Sequence, residues 1–156
     1  MFGLVLLKNI EMTLNIKASI QIQKSIIDVF ENIVNPDKMS QYFIATSTGR
    51  IIENTELIWT FPEFDEQCPV TITQCIPNKK VEFIWDPETV VVIELQEQTD
   101  KSTLVNVTEG SKEVNEKNIK WFAGNTEGWA NFLACLKAYS EYQINLRKGA
   151  FDFLKQ

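Results

Sequence analysis

From Leu14 to Gln23 the chain alternates without a break, with Leu14, Ile16, Ala18, Ile20 and Ile22 set against Asn15, Lys17, Ser19, Gln21 and Gln23. A period of two places each set on its own face, so the segment predicts a strand with one buried and one wet side. Ser25 then stands as a cap for a short helix through Asp28, Val29, Phe30 and Ile33. Asn35-Pro36-Asp37 breaks that helix and starts a second through Met39, Tyr42 and Phe43, since proline fits the first turn of a helix and not its interior. Strand-like runs follow around Ile51, around Leu57-Trp59-Phe61, from Val70 to Ile76, from Val81 to Trp85, from Val90 to Leu95 and from Leu104 to Val107. The breaks between them are short and rich in Pro, Asn and Asp, as antiparallel hairpins require.

The last third changes period. Trp129, Phe132, Leu133, Leu136 and Tyr139 recur every three or four residues, opposite Asn131, Ala134, Glu141 and Asn145, and this predicts one long amphipathic helix over Thr126 to Lys148. Val114 to Trp121 is read as a minor helical turn ahead of Gly124 and Asn125. Arg147 and Lys148 complement the helix dipole, and Gly149 supplies a left-handed stop. Carrying the 3.6-residue period onward places Ser140, Gln143 and Arg147 on the line begun by Trp129, Leu133 and Leu136. One helix face therefore runs from apolar to polar, as a cavity wall does.

These elements predict an α+β fold with a curved antiparallel sheet of about six or seven strands, two short helices after strand one and a long C-terminal helix. Such a sheet has one apolar face that the helix must cover, and the space between them is the natural cavity. Trp59 and Phe61, like Phe83 and Trp85, occupy alternate positions of a strand, so each pair points to one side. They are read either as ordinary core or as the wall of a pocket. The candidate cavity residues are Phe43, Trp59, Phe61, Phe83, Trp85, Trp129, Leu133, Leu136, Tyr139, Ser140 and Gln143.

Composition narrows the chemistry more than it names it. The 156 residues suit one domain, 14–156, preceded by a segment 1–13 that is read as a tail, an extension upstream of a start at Met12, or an edge strand. Phe2 to Leu7 is apolar but too short to span a bilayer and lacks a basic flank, so neither a signal peptide nor integral membrane association is expected, and the expected compartment is the cytoplasm. With 15 Lys and Arg against 21 Asp and Glu the formal charge is -6, and the basic residues are scattered, which disfavours nucleic acid. The chain holds no histidine. That removes Ser-His and Cys-His nucleophile pairs, histidine zinc sites and a histidine base. Cys68, Cys75 and Cys135 are irregularly spaced and fit reduced structural thiols. No metal or cofactor is expected.

Several local strings resemble the START-like (SRPBCC, helix-grip) superfamily, in the branch related to the C-terminal domain of the activator of the heat-shock protein 90 ATPase. They are Val29 to Lys38 with its Asn-Pro-Asp break, Pro77 to Trp85, Thr103 to Glu109 and Gly128 to Leu133. Tyr42-Phe43 stands where that branch has Trp-Phe, a change that keeps the packing role. The N-terminal chaperone-binding domain of the eukaryotic activators has no counterpart in these strings, so chaperone activation is not carried over. The resemblance implies a helix-grip fold whose cavity holds a hydrophobic or amphipathic small molecule.

Three functions are compatible with this reading. The first is non-enzymatic binding of such a molecule, with Tyr139, Ser140 and Gln143 as polar contacts, unless Ser140 and Gln143 lie where the helix runs into water. The second is regulation of a partner protein or chaperone ATPase through an apolar patch at Tyr142, Phe151, Phe153 and Leu154, residues that could equally cover the core or form a homodimer. The third is an enzyme, as some START-like relatives cyclise polyketides or condense carbonyl compounds. Without histidine its proton shuttle falls to Glu109, Glu127, Tyr139 or a desolvated lysine. Against that third reading, each acid is read as a solvated surface charge.

Overall fold

The computed structural model describes residues 12–155. The segment 1–11, and with it most of the 1–13 extension, lies outside the described residues. Strand β1 (Thr13–Ile22) leads into α1 (Ile26–Val34) and α2 (Pro36–Met39), then β2 (Thr46–Ser47), β3 (Thr55–Thr60), β4 (Cys68–Ile76), β5 (Lys80–Ile84), β6 (Val90–Glu97) and β7 (Thr103–Glu113), and finally α3 (Glu116–Tyr142). A 3-10 turn at Asp152–Leu154 follows. The seven strands form one antiparallel sheet in the order β1-β7-β6-β5-β4-β3-β2. The first strand thus pairs with the last, and α3 lies across β1 and β7. This is the helix-grip arrangement.

Local chemistry explains the early elements. Ser25 Oγ accepts from the Asp28 N–H and caps α1, and Asn35 Oδ1 accepts from the Asp37 N–H and caps α2 behind Pro36. The alternation of β1 holds: Ile16 and Ile22 are buried while Asn15, Lys17, Ser19 and Gln21 face solvent. The register shifts between Leu14, opposite Lys112, and Asn15, opposite Gly110, leaving Ser111 of β7 as the extra residue of a bulge. A Cβ at Gly110 would come within 2.6 Å of Asn15 Oδ1 and 3.3 Å of its Cα, so the close approach of β1 and β7 needs glycine.

Four expectations are corrected. No strand forms around Ile51; that residue is buried in a loop, its N–H donating to the Val34 carbonyl at 3.1 Å, and the short β2 takes the sheet edge instead. The second short helix stops at Met39, and a turn carries Tyr42 and Phe43 into the core. Val114 to Trp121 is no separate turn, because α3 starts at Glu116, capped by Asn115 Oδ1 accepting from the Asn118 N–H, and runs unbroken through Gly124 and Asn125. Packing of the later apolar stripe outweighs the helix-breaking preference of those two residues. The helix also ends earlier than expected. Gln143, at φ 57°, makes the left-handed stop, and Gly149, at φ 74°, lies in a later turn.

Between helix and sheet sits a core in which Ile16, Ile22, Val105 and Val107 meet Trp129, Phe132, Leu133 and Leu136. α1, α2 and the turn after them close its far side with Val29, Ile33, Met39 and Tyr42. Tyr42 Oη donates to the Asn32 carbonyl at 2.8 Å, and burial pushes that phenol well above its ordinary value.

Candidate functional site

The turn after α2, the end of β3 and its loop into β4, the residue following β5 and the middle of α3 leave a cleft of about 380 Å³. Its walls are aromatic: Phe43, Phe61, Phe64, Trp85 and Trp129. Phe43 meets Phe61 edge-on at 5.4 Å, and Trp85 and Trp129 lie 5.2 Å apart at a shallow 31°. The helical side is opened by two glycines. A Cβ at Gly124 or Gly128 would meet nothing within 4 Å, so these residues, one turn apart, expose bare helix backbone to the cleft.

Beneath this wall lies a carboxylate. Glu109 is 1% exposed, and its two oxygens accept four hydrogen bonds. Oε2 takes Trp85 Nε1 at 2.8 Å and Thr89 Oγ1 at 3.2 Å; Oε1 takes Asn125 Nδ2 at 2.9 Å and Trp129 Nε1 at 3.0 Å. Every donor is neutral, and the two indoles can only donate, so the set matches an acceptor-only carboxylate. Glu109 therefore ties together three of the side chains that line the cleft. The expectation of a solvated surface charge fails for this residue. It follows Val105 and Val107 at steps of two on β7, and so falls on the strand's inward phase, opposite Ile16.

At the other end Arg147 lines the cleft with its side chain 16% exposed. Its Nη2 donates to Glu63 Oε2 at 2.8 Å, and its guanidinium lies 4.8 Å from the Phe151 ring centroid and 5.9 Å from that of Phe61. Arg147 reaches the cleft because the chain turns back after Tyr142, not because it continues the helix face. Glu66 and Gln67 stand at the exposed mouth. Cys68 also lines it, and burial pushes its thiol up, away from the thiolate that nucleophilic chemistry needs. Among the described residues no group of three His, Cys, Asp or Glu is placed to hold a metal ion.

Of the residues named from sequence, Phe43, Phe61, Trp85 and Trp129 come together around this cleft. Trp59 and Phe83 form the layer beneath, 5.3 Å apart and fully buried, with Trp59 edge-on to Phe43 and Trp85. Leu133 and Leu136 are close-packed core. Tyr139 stacks on Tyr42 at 5.6 Å, and Ser140 is buried, accepting from Asn32 Nδ2 at 3.0 Å. Gln143 is exposed at the helix stop and donates to the Tyr139 carbonyl. The polar end of α3 thus packs over α1 and caps itself, while the cleft opens about three to four turns earlier. Gly124 and Asn125 were hidden by their appearance as a helix break, and Gly128, inside the expected helix, carried no signal of a ligand site.

The comparisons agree on the architecture. The profile of the family described as "Activator of Hsp90 ATPase homolog 1-like protein" matches residues 24–141. No curated protein matches the chain significantly. Among solved structures, protein SSP2350 from Staphylococcus saprophyticus is 26% identical, with a TM-score of 0.76 over 85% of this chain and 96% of that one. The Aha1 dimer from Colwellia psychrerythraea is 20% identical with a TM-score of 0.70, over 82% and 96%. CalU16 from Micromonospora echinospora is 14% identical with a TM-score of 0.63, over 83% and 77%. Among the described residues no helix is long and apolar enough to cross a membrane.

Proposed function

We propose a function for a chain that belongs to the activator of Hsp90 ATPase homolog 1-like family: it binds a hydrophobic or amphipathic small molecule, without transforming it, in the aromatic cleft between sheet and C-terminal helix. The observation that carries this reading is the cleft itself, about 380 Å³ lined by five aromatic rings and bordered on its helical side by two glycines. Concave, mostly apolar sites of this size with a few placed polar groups are the usual form of small-molecule sites. Covering the rings contributes about 25 cal/mol for each Å² of apolar surface removed from water. Asn125, Glu66 and Arg147 supply polarity at the edges. The thiol is not activated, histidine is absent from the chain, and the buried carboxylate is fully engaged by donors, so the reading is of a container.

Two measurements test it. Gentle-ionisation mass spectrometry of the purified protein is expected to give a mass above that of the polypeptide, lost on denaturation. Titration with a neutral naphthalene probe is expected to quench emission from Trp85 and Trp129 at saturation. An unliganded mass together with unchanged emission rejects the reading.

A second reading, regulation of a partner protein, draws on the exposed apolar residues beyond the helix, where Tyr142 is 68% and Phe153 78% exposed and Ile144, Leu146 and Leu154 are also open. The family description and the dimeric neighbour are consistent with it. Sedimentation across a hundredfold range of concentration separates self-association from a monomer that awaits another protein.

A further inference from the structure

The cleft's charge is not neutral. Arg147 is the only cation among the described residues that line it, and Glu63 already neutralises that guanidinium from 2.8 Å. Glu66 stands at the mouth. Glu109 lies directly behind Trp85, Trp129 and Asn125, with no ion-pair partner among the described residues. Three carboxylates therefore act on this space against one guanidinium.

The negative charge is also passed to the faces that a ligand would touch. Both indole N–H groups donate to the Glu109 carboxylate, at 2.8 and 3.0 Å, which polarises electron density toward the ring faces of Trp85 and Trp129. The ring quadrupole already attracts cations there, most strongly for tryptophan. Asn125 adds direction. The carboxylate requires its amide nitrogen as donor, which fixes the amide's orientation and leaves Oδ1 with no intramolecular partner among the described residues. An acceptor is thereby presented beside two electron-rich rings.

Building on the small-molecule reading of this cleft, we infer that its ligand is an organic cation, with an aromatic or alkyl body among Phe43, Phe61 and Phe64 and an ammonium or iminium group against Trp85, Trp129 and Asn125. Burial of Glu109 in low dielectric extends its field through the indoles rather than dissipating it in water. The net charge of -6 for the whole chain favours approach of the same class.

The test uses three naphthalenes of similar size: (naphthalen-2-ylmethyl)trimethylammonium, its neutral isostere 2-neopentylnaphthalene, and naphthalene-2-sulfonate, each titrated by calorimetry into the full chain. The cation is expected to bind about tenfold or more tighter than the neutral isostere, with the sulfonate weakest. Glu109→Gln removes the charge at nearly constant volume but sets an amide donor against one of the two indole N–H groups, so the cation is compared with the neutral isostere in the same variant, and its advantage is expected to fall to about threefold or less. Glu66→Gln, at an exposed position, gives a second reading of the same charge in a variant that leaves the floor intact. Equal affinity for cation and neutral isostere, tightest binding of the sulfonate, or a cation preference unchanged in both variants overturns the inference while leaving a neutral-ligand cleft standing. If none of the three binds, the container reading falls and takes the charge preference with it.

Discussion

Gly124 and Gly128 sit inside a 27-residue helix, exposed, with open space where each side chain would be. Glycine in a helix interior costs about 0.8–1.0 kcal/mol relative to alanine, because its backbone loses more freedom on folding. Neither position has a packing reason for glycine, and at neither would a methyl group clash. The double substitution Gly124→Ala, Gly128→Ala is therefore expected to stabilise the protein by about 1.5–2 kcal/mol, which in a chain of this size raises Tm by about 3–8 °C. The same two methyl groups project into the cleft and onto the path of a ligand lying against the helix. Affinity for a neutral naphthalene probe is expected to fall at least about tenfold, the equivalent of about 1.4 kcal/mol. Thermal melts followed by circular dichroism and probe titration on the same variant give both quantities. A melting temperature that does not rise refutes the claim that these glycines are unpacked. A higher Tm with undiminished probe affinity refutes the placement of the ligand site.

Three further outcomes follow from the packing and the ion pairs. Leu136→Trp is expected to destabilise the protein by about 1–3 kcal/mol in urea denaturation, since Leu136 is 0% exposed, within the core cluster and outside the lining of the cleft; a neutral result means slack in the core beneath α3. Truncation after Ala123 removes Trp129, Phe132, Leu133 and Leu136 from the core, each worth about 1.5–3 kcal/mol of burial, so the shortened chain is expected to show no cooperative melt by calorimetry. The hydrogen bond from the Arg50 guanidinium, at 2.7–2.8 Å, is the main cause that holds the Glu31 carboxyl at about 2, below its ordinary 4.5. A depressed folded value means that the pair stabilises the protein above about pH 4.5 and loses that contribution as pH falls toward 2. Arg50→Met is therefore expected to cost about 0.5–1 kcal/mol at pH 7, discounted because both partners are about a third or more exposed, and nothing near pH 2. A cost that does not change with pH assigns the effect of Arg50 to packing rather than to the ion pair.

The elements whose pattern is local were legible in the chain. The strict alternation of 14–23, the Ser25 and Asn35 caps and the three-and-four spacing of Trp129, Phe132, Leu133 and Leu136 each depend on neighbours a few residues away, and each appears where its spacing placed it. The aromatic pairs at the ends of β3 and β5, each with one member just past the strand, likewise pointed to a shared side, since parity along extended chain is a local property. The length of α3 was not legible. Gly124 and Asn125 favour a break, and only the apolar face bound to the sheet overrides them. The pairing of β1 with β7 was not legible either, because alternation states which face is buried and not which strand lies alongside.

The cleft depended most on tertiary structure. Glu109 carried a signal, an acid on the inward phase of a strand, but what makes it a floor is a set of donors 16 to 24 residues away on two other segments, the β5–β6 connection and α3. Arg147 reaches the cleft only through a turn back after Gln143, and Glu63, its partner, lies 84 residues away. A sequence determines by itself whatever period and capping decide, because those energies are summed within one or two turns. Which buried polar groups meet is set by where separate elements cross, and that was decided only when α3 closed over the sheet.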